Sequence, residues 1–259
     1  MDLGLVLAVV LIALVCLPHG ALDPVIAQRQ GVVRSPVQMG MFLIAYLCLA
    51  GLVILAWRQF PVISLIGFLL ISAFHFGRDW QRKIGLGGAA YGGIVLALPL
   101  MTDPGAVHSI FGFLLMGANP ALPVLALGAI GVASLIFLAY DRRRLTLGPC
   151  LELSVLLIAA VWLHPLGYFV AFFCVLHSPR HLWAEWQNTQ PAARRKVIWA
   201  MAVVTLATLV LAGIAGVFLQ GQSISLSAWV YQLIFIGLAA LTVPHMALLA
   251  WVERQHASR

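Results

Sequence analysis

Residues 37–57 read VQMGMFLIAYLCLAGLVILAW, an uncharged run held between Pro36 and Arg58. A helix needs about 20 apolar residues to cross the hydrocarbon of a bilayer, and this run supplies them. Within such a helix every backbone polar group can be satisfied internally, as lipid requires. The same reading extends outward in both directions. Apolar stretches recur at 3–22, 61–80, 85–101, 120–140, 147–163, 165–183, 196–219 and 227–251. Residues 105–117, GAVHSIFGFLLMG, are apolar but too short to cross, and read as a re-entrant or interfacial segment. The expected fold class is all-α. It is a polytopic membrane helical bundle of about nine spanning helices, one transmembrane domain over residues 1–259.

Composition excludes the alternatives. The 259 residues are 63% hydrophobic and only 9% charged, with a mean hydropathy of +1.03. A soluble domain of this size needs far more charge on its surface. Outer-membrane barrels alternate apolar and polar residues over short segments, and no such alternation occurs here. The net charge of +7 reads as basic loops that fix orientation in the membrane, not as a nucleic-acid footprint. With the N-terminus outside, nine spans put Arg29, Arg34, Arg78, Arg82, Lys83, Arg142, Arg143, Arg144, Arg180, Arg194, Arg195, Lys196, Arg254 and Arg259 inside. Only Arg58 falls outside, so fourteen of the 15 basic residues share one face. A full span at 105–117 would move Arg142 to Arg144 to the wrong side, so the expected topology is N-out and C-in. Met1-Asp2-Leu3 lacks a basic n-region, and the first run is expected to remain as a span. Cys16, Cys48, Cys150 and Cys174 lie in apolar runs without a C-x-x-C pair, and read as small core hydrophobes.

Ionisable side chains inside a bilayer are expensive and mark function, so the 8 histidines form the natural inventory. His108, His164 and His256 fall in the short segment, an outer turn and the C-terminal tail, where interfacial or solvated roles suffice. The other five are late in spans that run outside to inside: His19 in LPHGALD, His75 in SAFHFGRD, His177 and His181 in CVLHSPRH, and His245 in TVPHMA. They are expected at similar depth toward the cytoplasmic side. His177 and His181, four apart, share one helix face and can chelate one metal. Pro18, Pro179 and Pro244 each lie within two residues of one of these histidines, where a freed carbonyl and a kink are tolerated. Imidazole suits iron, zinc or copper alike.

Carboxylates accompany the histidines. Asp23, Asp79 and Glu185 each follow a histidine by four residues, one turn toward the cytoplasm. Metal-bound histidines commonly donate their second N–H to a carboxylate; the competing role is an interfacial ion pair with Arg78, Arg82 or Arg180. Asp23 is the foremost supporting candidate, because no basic residue precedes Arg29. Gly20 and Gly77 fit close helix approach. Phe74, Phe76, Tyr168, Phe169, Phe172, Phe173 and Trp183 flank the same layer and are candidates to line an apolar substrate channel, with ordinary packing as the alternative.

The segments PHGALD (18–23), AFHFG (73–77), HPLGYFVAFFCVLHSPRH (164–181) and TVPHM (242–246) resemble the Brp/Blh family of membrane-bound β-carotene 15,15′-dioxygenases. The likeness runs from the first span to the last. Pro24 stands where many members carry a histidine after the first motif. The resemblance implies an Fe(II)-dependent enzyme of the plasma membrane. It would use O2 to cleave the central double bond of membrane-dissolved β-carotene, or a related carotenoid, to retinal. It implies His19, His75, His177 and His181 as the iron ligands and catalytic residues, with His245 in a further family motif. A functional link to a retinal-binding protein also follows from it.

Other chemistries compete at the level of the residues. Di-iron desaturases need about twice as many histidines, with H-x-x-H-H clusters that are absent here. A membrane haem or metal electron carrier would use paired histidines axially. A non-enzymatic transporter or assembly partner would use them as a proton relay, and would bind no stoichiometric metal.

Overall fold

The computed structural model describes residues 3–80, 85–141, 143, 146–219 and 225–257, with only the backbone for 215–219 and 256–257. Arg82, Lys83, Arg142, Arg144, Arg259 and the side chain of His256 lie outside the described residues.

The first apolar run forms α1 (Leu3–Leu11), a π-helical segment Ile12–Cys16, α2 (Leu17–Gly20) and α3 (Asp23–Arg29). Then follow α4 (Pro36–Gln59), α5 (Pro61–Gly77), α6 (Leu86–Thr102), α7 (Pro104–Leu114), α8 (Ala121–Tyr140) and α9 (Leu147–Trp162). α10 (Pro165–Ala171) passes through a second π-helical segment, Phe172–His177, into α11 (Ser178–Gln187). α12 (Arg194–Leu219) and α13 (Leu226–Ala257) complete the chain. The described residues include no strand, and the all-α expectation holds.

Helices stand over all nine expected stretches, yet length and composition identify fewer crossings. Among the described residues five helices are long and apolar enough to cross a membrane: Leu3–Arg29, Pro36–Gln59, Ala121–Tyr140, Pro191–Ile214 and Leu226–Gln255. α6 and α7 qualify together but bend by 111° at their junction, which makes a sixth if they form one broken span. α5 and α9 are apolar but span only 17 and 16 residues, below the usual crossing length. The α6–α7 corner has a local cause. Pro104 has no N–H to continue α6, and the Asp103 side chain caps the new helix by accepting from the Ala106 N–H at 2.9 Å.

The chain divides into two compact units, Met1–Leu55 with Phe173–Arg259, and Ala56–Phe172. In the second unit α6 packs on α5, α8 and α9. A Cβ built on Gly77 would come within 2.2 Å of the Gly88 carbonyl, and one on Gly92 within 2.1 Å of the Ala73 oxygen. These glycines let the α5 and α6 backbones touch, as small residues do between membrane helices. The expectation of close approach therefore holds at Gly77. At Gly20 it does not, because a Cβ there would meet nothing within 4 Å. Three polar side chains in this unit are paired: the Tyr91 hydroxyl donates to Glu152, Tyr168 to the Val95 carbonyl at 2.8 Å, and Trp57 to the Leu114 carbonyl at 2.9 Å.

In the first unit, Leu22, Ile26, Ala27, Val33 and Leu248 form a buried cluster. Two residues past the end of α3, Gly31 has a φ of 73° that suits a residue without Cβ, and the Val32 N–H returns to the Ala27 carbonyl. The two π segments meet here through the thiols of Cys16 and Cys174, 2.7 Å apart and buried. Cys48 is exposed and Cys150 half-buried, so the expectation of core cysteines holds only for the first pair.

Candidate metal centre

The local structure that carries the histidines follows from proline. Pro18 would drive its ring into the carbonyl of Leu14 in a regular helix. Leu14 instead sits in the π segment, where the Leu17 N–H reaches back five residues to the Ile12 carbonyl. The wider turn makes room for the ring, and His19 follows on α2. The arrangement repeats at Pro179, whose clashing partner would be Val175 in the π segment Phe172–His177. Single π turns inside helices are often found at functional sites, and here one precedes His19 and the other ends on His177.

These elements gather four imidazoles within the first unit. The His19 ring lies 4.2 Å from that of His181, 5.0 Å from His177 and 5.3 Å from His245, centroid to centroid. His181 and His245 are 5.7 Å apart. His19, His177 and His245 are buried, and His181 is half-buried. Side-chain nitrogens of His19 and His245 come within 4.8 Å of each other. Phe173 stacks on His177 at 5.2 Å with 13° between the rings, which holds that imidazole flat.

The donor set fits a metal. Burying imidazoles is costly unless their nitrogens find partners, and one divalent cation can serve several nitrogens at once. An all-nitrogen set of this kind suits iron, zinc or copper, and disfavours magnesium or calcium.

The carboxylates divide differently from their spacing. Asp23, fully buried, accepts from His245 Nδ1 at 2.7 Å through Oδ1 and from the Tyr46 hydroxyl at 2.9 Å through Oδ2. Glu185 pairs with Arg29 at 2.6 Å, an ion pair not among the arginines expected. Asp79 is half-buried in the turn after α5. Tyr46 went unnoticed in the sequence. The signal was present as the one hydroxyl within residues 37–57, but a lone tyrosine in a span usually reads as packing or an interfacial anchor.

His75 is buried near the end of α5, in the second unit, beside Phe76 at 5.5 Å between rings. Phe76 and Phe172 meet edge to face at 5.0 Å in that unit. Tyr168 is buried there as well, its hydroxyl committed to Val95. Phe74 and Phe169 are half-buried. Trp183 is exposed and, with Leu22, Pro179, Leu182, Trp186 and Met201, lines a pocket of about 410 Å³ in the first unit. His108 and His164 are exposed.

Comparison with known proteins converges on one family. The family described as Beta-carotene 15,15'-dioxygenase matches residues 10–253. A Beta-carotene 15,15'-dioxygenase from uncultured marine bacterium 66A03 is 32% identical, over 97% of this chain and 95% of that protein. A Probable beta-carotene 15,15'-dioxygenase Blh from Halobacterium salinarum is 25% identical, over 92% of this chain and 81% of its own. No solved structure matches.

Proposed function

The chain belongs to the β-carotene 15,15′-dioxygenase family, and from that premise we propose that it cleaves the central double bond of β-carotene with O2. Each half of the polyene leaves as one molecule of retinal, with one oxygen atom apiece. The observation that carries this reading is the cluster of four imidazoles brought together from α2, α11, α13 and a π turn. A protein of apolar helices has little other use for so many titratable rings in one place.

The ligand set proposed is His19, His75, His177 and His181, and the metal is iron(II), which supplies the activation of O2. Around it the chain's own residues bind and orient. Phe173 fixes the His177 ring by stacking. The pocket lined by Leu22, Leu182 and Trp186 is adjacent in sequence to His19 and His181 and offers an apolar surface suited to a hydrocarbon. His19, His177 and His245 are themselves buried, which keeps water from their rings and protects reactive oxygen chemistry from side reactions. Central cleavage further requires the midpoint of the polyene to rest at the metal, so register along the apolar surface decides the product.

The proposed setting is the plasma membrane, with nine crossings and an N-out, C-in arrangement. In that arrangement fourteen of the 15 basic residues would share the inner face, as the positive-inside rule expects. The retinal formed would supply a retinal-binding protein.

Expression in cells that accumulate β-carotene tests the activity. The expected outcome is loss of orange colour with retinal appearing in the extract. Folded protein in the membrane with unchanged carotenoid and no retinal would refute the assignment.

A further inference from the structure

The Tyr46–Asp23–His245 chain uses three groups from α4, the start of α3 and α13 that the four-histidine set leaves unused. Its geometry is directional. At 2.7 Å from Asp23 Oδ1, His245 Nδ1 carries the hydrogen, because an ionised carboxylate only accepts. That leaves Nε2 as the atom with which an imidazole held in this way binds a metal. The His245 ring lies 5.3 Å from His19 and 5.7 Å from His181. Nitrogens of His19 and His245 lie within 4.8 Å of each other, a span that two metal–nitrogen bonds of about 2.1 Å nearly fill.

Charge points the same way. Asp23 is 0% exposed, and among the described residues its partners are Tyr46 and His245, neither a lysine nor an arginine. A buried carboxylate is tolerated only where hydrogen bonds and charge of opposite sign offset its desolvation. A divalent ion held by His245 would add such charge through the imidazole. Tyr46 completes the support. Its hydroxyl is 2.9 Å from Asp23 Oδ2 and 3.1 Å from the Leu241 carbonyl, one turn before His245 on the same helix. It therefore fastens the carboxylate and the histidine-bearing helix to α4 together.

We propose that His245 is a further ligand of the metal, and that Asp23 and Tyr46 are positioning residues that fix its tautomer and direction. The proposal rests on the metal centre proposed above and adds a ligand to it. The test uses the purified full-length protein in detergent, titrated with Co(II), whose visible absorption reports ligand number. His245→Ala should change the Co(II) spectrum, and added imidazole should restore it. Asp23→Asn should weaken Co(II) binding about 10–100-fold, the range typical of lost carboxylate support. Tyr46→Phe, which removes a single hydroxyl, should weaken it about tenfold, the lower end of that range. A His245→Ala spectrum and affinity equal to wild type would overturn the proposal. If His245→Ala does not fold, unchanged affinity in Tyr46→Phe would overturn it equally. His177→Ala separates the two levels. Should the wild type bind no Co(II), or His177→Ala bind as the wild type does, it is the histidine metal centre itself that fails.

Discussion

Removing any histidine of the cluster deletes a ring that another residue of the chain does not replace at the same position. His177→Ala and His181→Ala are expected to abolish stoichiometric iron in the purified protein, with metal analysis as the check; full iron content in either would remove that residue from the ligand set. Glu185 makes a useful contrast. Its pair with Arg29 is partly exposed, so Glu185→Gln should cost about 0–1 kcal/mol of stability and leave iron content intact, as melting in detergent and metal analysis would report. The clustered histidines were legible because intramembrane imidazoles are rare and costly. Their supports were not. Asp23 follows His19 by four residues but hydrogen-bonds to His245, 222 positions away, and Tyr46 reaches Leu241 across 195. Helical spacing predicts neighbours on one helix and is silent about partners on another.

Among the elements, α5 and α6 depend on glycine contact. Gly77→Ala and Gly92→Ala would push a methyl group into facing backbone, which cannot rotate away as a side chain can. Each should destabilise by about 1–3 kcal/mol, read as a lowered melting temperature of the detergent-solubilised protein; wild-type melting would show that the helices separate freely. The helices themselves were legible as apolar runs; Pro18 and Pro179 fall just after the π segments of two of them, whereas α13 continues through Pro244. The π segments Ile12–Cys16 and Phe172–His177 were not legible, since one extra residue in a turn leaves hydropathy unchanged. The sharp corner at Asp103 has a readable signature in Asp-Pro. Its angle of 111° was not legible, since Asp-Pro marks a helix start without fixing the direction in which α7 leaves.

For the whole molecule, the sequence led to a helical membrane protein from composition and run length alone. The number of crossings proved harder, because α5 and α9, at 17 and 16 residues, fall where a buried helix and a short span look alike. Charge asymmetry predicts that a reporter fused after Arg254 is cytoplasmic and one fused after Arg58 is not; the opposite pattern would invert the proposed orientation. Activity remains the sharpest test of the account. Purified protein loaded with iron(II) should convert β-carotene and O2 to retinal alone, two molecules for each carotenoid consumed. Unequal apocarotenal fragments, or carotenoid left intact by folded, iron-loaded protein, would contradict it.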